Sequence, residues 1–130
     1  MNSETEVLFI KIEVKGYLKN IAEDTKELIE TNAIKNKNKI TYINNDTSYK
    51  IELRDNIIIL IRENNDFSHK FIFDIDNTTK SEYYIKELNT NIDVLIKTTK
   101  LRYTDKKIEI AYEIIDSENK YIYILDMEWI

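Results

Sequence analysis

The chain has no cysteine, no proline, a single glycine and a single histidine. Each shortage removes a class of chemistry. Without cysteine there is no disulfide, no cysteine–zinc centre and no thiol nucleophile. One glycine cannot make a glycine-rich phosphate loop. One histidine cannot make a multi-histidine metal centre, and the carboxylates show no diagnostic metal spacing. His69 has no serine or cysteine partner at a recognisable spacing. Between Ser68 and Lys70 it reads as a surface or rim residue rather than a general base. Neither a metal nor a cofactor is expected.

What remains is a chain of 130 residues, 42% hydrophobic, with nine tyrosines. That length fits one domain, residues 1–130, burying about two thirds of its unfolded surface. Net charge is −5, whereas a phosphate-backbone binder carries a basic face, so nucleic acid is not the expected partner. Lys97, Lys100, Arg102, Lys106 and Lys107 form a local exception, broken only by Asp105. They read as a solvated strand end. The first apolar run, Val7-Leu8-Phe9-Ile10, is too short for a signal peptide or a membrane span. The expectation is therefore a cytoplasmic protein that does not engage a membrane; its oligomeric state is open.

About ten short apolar runs are separated by Asn/Asp-rich breaks. These are Asn44-Asn45-Asp46, Asp55-Asn56, Asn64-Asn65-Asp66, Asp76-Asn77, Asn89-Thr90-Asn91 and Asp116-Ser117-Glu118-Asn119. Asn and Asp tolerate the left-handed backbone of tight hairpins and stand in for the missing glycines. Apolar runs at roughly 8–12-residue spacing predict an all-β fold, one antiparallel barrel of about 8–10 strands. The first strand is expected over residues 7–15, with Leu8, Ile10, Ile12 and Val14 on one face. Gly16 then marks a bend or bulge. Residues 21–34 allow two readings. Asp24-Thr25-Lys26-Glu27 could be a capping box opening a short helix, but a returning strand is favoured. Further strands are expected over 40–43, 47–53, 57–62, 67–73, 80–88, 92–101, 107–115 and 121–129. Residues 57–61 are apolar on both faces, so a covering element is expected outside them. In the last strand Tyr121, Tyr123, Leu125, Met127 and Trp129 share one face.

The order of these segments resembles an uncharacterised bacterial family, the YwiB-like family. The matching pieces are the strand over residues 6–14, the return over 27–31 and the apolar run closed by Arg62. Then come Tyr84-Ile85-Lys86-Glu87-Leu88-Asn89, the threonine-ended run over 92–99, and Lys107-Ile108-Glu109-Ile110-Ala111-Tyr112. The resemblance implies a lipocalin-like, calycin-type barrel. The family is a domain of unknown function, so it implies no activity.

One motif invites an enzyme reading. Asp74-Ile75-Asp76-Asn77-Thr78 follows an apolar strand, like the nucleophile motif of haloacid-dehalogenase-type phosphotransferases. That chemistry needs a parallel sheet with crossover helices, and the residues that follow read as strands. The motif is expected to be a hairpin turn, and the protein is not expected to be an enzyme. A calcium loop there fails as well, because Thr79 and Ile85 occupy the positions that need Gly and Glu.

Arg62 is the sharper candidate. It shares a strand face with Ile58 and Leu60, so its charge needs a partner or an exit to water. An internal carboxylate is the favoured partner, and a ligand carboxylate or phosphate the other. Tyr84, Thr99 and Tyr112 would be hydroxyl companions if they point inward. The expected function is binding of a small apolar or anionic ligand inside the barrel. The alternative is a filled-core structural or protein-interaction domain.

Overall fold

The structure, a computed structural model, describes residues 9–130. It is all-β, with no helix among the described residues. The ten strands are β1 (Ile10–Asn20), β2 (Thr25–Asn36), β3 (Lys39–Asn44), β4 (Thr47–Arg54), β5 (Ile57–Glu63), β6 (Phe67–Asp74), β7 (Thr79–Ile85), β8 (Thr90–Tyr103), β9 (Lys107–Ile114) and β10 (Lys120–Trp129). Each pairs antiparallel with the next, and β10 pairs with β1. Closure leaves no strand edge unpaired. Val7 and Leu8 of the expected first strand lie outside the described residues.

Period-2 alternation decides the doubtful segment. In β2, Ile29 and Ala33 are buried while Lys26, Leu28, Glu30 and Asn32 are exposed. Asp24 is not a helix cap. It is a turn residue with φ 53°, in the turn that sends β1 back as β2. Asn45, Asp46, Asn89 and Asp116 also take left-handed backbone, as expected of glycine substitutes, and so does Lys37.

Two expectations need correction. β1 runs on through Gly16, with its β10 register unbroken from Ile12 to Asn20, so no bulge sits there. Gly16 is needed for close approach instead. A Cβ there would lie 1.8 Å from the carbonyl oxygen of Ile124. The bulge lies on β8, where the register shifts between Thr98 and Lys100. Among the described residues no element covers β5 from outside. Ile57, Ile59 and Ile61 are half-buried beside their cross-strand neighbours, Lys50 and Glu52 on β4 and Lys70 and Ile72 on β6. Long Lys and Glu stems can shield apolar surface in this way. Trp129 shares the inward parity of β10 but lies exposed at the rim.

The turns alternate between two ends. The lower end carries the β2–β3, β4–β5, β6–β7 and β8–β9 turns; the upper end carries the other five. Toward the lower end the interior is apolar: Ile12, Ile40, Ile51, Ile58, Phe73, Ile108, Ile110, Leu125 and Met127 are all buried. Burial of each such side chain contributes about 1.5–3 kcal/mol. Toward the upper end the inward positions become polar, and the candidate site lies there.

Candidate functional site

Alternation along β5 buries Ile58 and Leu60 and carries Arg62 inward behind them, near the upper end. The guanidinium carbon lies 5.5 Å from the ring centres of both Tyr49 and Phe67. The Nε of Arg62 is buried without a hydrogen-bond partner. The favoured internal carboxylate is not paired with it. Among the described residues the ion pairs join other side chains. Glu27 is linked to Arg62 only through Tyr49, whose hydroxyl donates to Glu27 Oε2 at 2.8 Å. Burial pushes the Tyr49 phenol up to about 12, partly opposed by the Arg62 charge.

Around this group the hydroxyls converge. Tyr42 stacks on Tyr49 at 4.7 Å and shares a hydrogen bond with Tyr123. Tyr112 is buried against Phe73 and Tyr121, at 4.9 and 5.0 Å. Burial raises its phenol well above the ordinary tyrosine value, and Arg62 acts in the opposite direction. Tyr112 is buried on β9 toward the same end of the barrel as Arg62.

Tyr84 and Thr99 do not join them. Tyr84 has the outward parity of β7, and its hydroxyl donates to Asn89. Thr99 is exposed in the β8 bulge and donates to the Ala111 carbonyl at 3.2 Å. Thr98, in step with Val94 and Ile96, takes the inward place, and the bulge reverses the parity only beyond it, at Leu101 and Tyr103. The Thr98 Oγ1 is buried without a partner.

His69 is the residue that sequence reasoning misplaced. It sits opposite Arg62 across β5 and β6 and faces inward, half-buried. Its ring lies 3.9 Å from that of Phe71 and 4.9 Å from that of Tyr83. Its Nε2 is 2.8 Å from Ser81 Oγ, and that hydroxyl donates to the Lys70 carbonyl at 2.9 Å. With the Ser81 proton so placed, Nε2 carries the imidazole proton and donates it. Burial, then the Arg62 charge, lowers the imidazole to about 4. The signal was present, because His69 shares parity with Phe67, Phe71 and Phe73.

A depression of about 340 Å³ lies at the upper end beside the β1–β2 turn, lined by Leu18, Asn20, Glu23, Thr25, Lys26, Glu27 and Tyr121; Arg62 and His69 do not line it. Far from it, Asp74 lies in the exposed β6–β7 turn at the lower end. It accepts hydrogen bonds from Asn77 Nδ2 and the Asp76 amide, each at 3.0 Å. These bonds hold its carboxyl below the ordinary value. The basic run on β8 and β9 is partly neutralised, since Glu109 pairs with Lys100 at 2.7 Å and Lys107 at 3.3 Å.

One solved structure shares this architecture. The crystal structure of the ywiB protein from Bacillus subtilis superposes with a TM-score of 0.64 at 14% identity. The match covers 95% of this chain and 92% of that one. The fold resembles that of YwiB. No family model matches the chain, and a comparison with curated proteins gave no significant match. Among the described residues no cluster of three or more His, Asp or Glu side chains could hold a metal ion. No helix among the described residues is long and apolar enough to cross a membrane.

Proposed function

We propose that this barrel is a non-enzymatic binding protein of the cytoplasm, related to the YwiB-like family and of calycin type. It takes a small anionic ligand at its upper end. Arg62 anchors the anion, with the Tyr112 hydroxyl beside it and an apolar or aromatic wall from Phe67 and Tyr83. The observation that carries this reading is the buried Nε of Arg62, which has no partner and no paired carboxylate. A buried donor left unsatisfied costs about 1–3 kcal/mol, more on a charged group, and a bound anion recovers that cost. Nucleic acid is not a partner in this reading, because the cation is half-buried on an inward face and the net charge is −5.

Native mass spectrometry of the purified protein, followed by calorimetric titration with small carboxylates and sulfonates, tests it. Arg62→Met keeps the apolar stem and removes the charge. It should weaken an anion by about 1.5–3 kcal/mol, the range for a charge-assisted hydrogen bond.

A second reading is favoured by the packing itself. Tyr42, Tyr49, Tyr123, Phe71 and Phe73 fill much of the middle of the barrel. If no anion binds in an Arg62-dependent manner and nothing co-purifies, a filled-core interaction domain becomes the better account.

A further inference from the structure

We propose that the Arg62 end takes up its anion together with a proton, which His69 carries. This deepens the anion-binding reading and rests on it. Arg62 and His69 are direct cross-strand partners, and both face inward. Directly opposed side chains on one face stand about 4.5–5.5 Å apart at Cβ. Burial first, and then the repulsion between two positive charges that close, keep the imidazole neutral there; an anion acts on the second of these. An anion seated on Arg62 cancels that repulsion and adds attraction for a second positive charge. Binding the anion and protonating His69 therefore favour each other, and by linkage each strengthens the other equally.

The groups facing His69 leave this exchange to Arg62. From β5 the facing group is Arg62 itself. From β7 come the Ser81 hydroxyl and the Tyr83 ring, and from its own strand the Phe71 ring. Tyr112 packs on the far side of Phe71, at 5.7 Å between ring centres. Arg62 is the charged group directly opposite the imidazole. Ser81 accommodates either state of the ring, because its oxygen still accepts from Nε2–H when the imidazole is charged. Glu27 is the other inward-facing titratable group linked to Arg62, through Tyr49. Its protonation would also favour an anion, so the experiment must separate the two.

The chain has one histidine, so its ring resonances report a single site by NMR. Benzenesulfonate is a suitable probe, because its charge does not change over the range studied. The free protein should show a His69 midpoint near 4, and saturating probe should raise it. If the probe brings the midpoint to about 6, binding at pH 5 is about tenfold tighter than at pH 7. His69→Gln keeps an N–H for Ser81 and cannot titrate. It should lose the tightening between pH 7 and pH 5, while Glu27→Gln should retain it. Binding that depends on Arg62 but leaves the His69 midpoint unmoved overturns the proton coupling and leaves the anion site standing. Tightening that survives in His69→Gln does the same. Failure of benzenesulfonate to bind in an Arg62-dependent way even at pH 5, where it should bind best, overturns both readings. Should His69→Gln fail to fold, the midpoint of the parent with and without probe decides the matter.

Discussion

Toward the lower end of the barrel, Ile12, Ile58, Phe73, Ile108 and Met127 meet in a core that needs nothing but shape. Toward the upper end, the same strands present Asn20, Glu27, Tyr49, Arg62, His69 and Tyr112. β5 makes the contrast within four residues, from Ile58, fully buried, to Arg62, half-buried with an orphaned Nε. β6 repeats it in reverse order, from His69 to Phe73. The lower end holds the fold together. The upper end carries buried polar groups that stability alone does not require, and such groups mark function more often than packing.

Gly16 stands on the inward face between the two regions, after Val14 and before Leu18. Gly16→Ala should give the largest effect of any single substitution. Its Cβ would fall 1.8 Å from the Ile124 oxygen and 2.7 Å from the Ile124 carbonyl carbon, both backbone atoms. Relief requires the β1–β10 seam that closes the barrel to move. A loss above about 4 kcal/mol, the exceptional range for point mutants, is expected in urea unfolding. A loss below 1 kcal/mol would show that the seam is softer than the geometry implies.

Phe73→Ala removes a fully buried ring that packs on Phe71 at 5.4 Å and Tyr112 at 4.9 Å. Large-to-small changes of this kind cost about 3–5 kcal/mol, through lost transfer energy and the cavity left behind. Chemical denaturation should show that loss with little change in Arg62-dependent binding. A ligand affinity that falls in parallel would mean that the two ends are not separable.

The strands were readable because the alternation is regular and the turns are marked by Asn and Asp. Asn45 and Asp46, with φ 51° and 62°, are glycine substitutes in the expected sense. Asp55 and Asn56 make a two-residue turn without left-handed backbone, and Lys37 adopts it unannounced. The site was only half readable, for a related reason. Arg62 could be placed because β5 alternates without interruption. Thr99 could have been excluded, because the parity of Val94 and Ile96 carries Thr98 inward; only the strand beyond the bulge, where parity is reversed, was unreadable. Tyr83-Tyr84-Ile85 is apolar on both faces, so the sequence does not say which tyrosine turns inward. His69 could have been placed by extending the parity of Phe71 and Phe73 two residues upstream.

The two ends should also respond differently to acid. The lower interior carries no titratable group among the buried residues, so the pH response of the interior belongs to the upper end. His69 has an ordinary value of 6.5 and is held near 4 in the fold. The unfolded chain therefore takes up a proton before the folded chain does. The stability this gives is complete above pH 6.5, falls as the pH drops toward 4, and is constant below that. Discounting for the partial exposure of the ring, the loss is about 2 kcal/mol. Asp74 and Glu109, both held below their ordinary values, add a loss at more acid pH with the same sign. Urea midpoints measured from pH 7.5 to pH 4 should show the step, and His69→Gln should flatten it above pH 4.5. A parent profile that is flat between pH 6.5 and 4.5 would mean that the imidazole is hydrated and titrates normally.

The smallest effect on stability is expected at the residue that matters most to the proposed function. Arg62→Met removes a charge whose Nε has no partner, and whose other support is two aromatic rings at 5.5 Å. Losing those cation–π contacts costs about 0.5–1 kcal/mol each at partly exposed sites. Removing an unsatisfied buried donor returns about 1–3 kcal/mol. The two largely cancel, so the unliganded variant should unfold within about 1 kcal/mol of the parent, on either side. An Arg retained only to hold the barrel together would instead leave a deficit like that of Phe73→Ala. A deficit above 2 kcal/mol without ligand would therefore remove the contrast between the two ends and make Arg62 a structural residue. Near-neutral stability combined with lost anion binding would place it on the functional side.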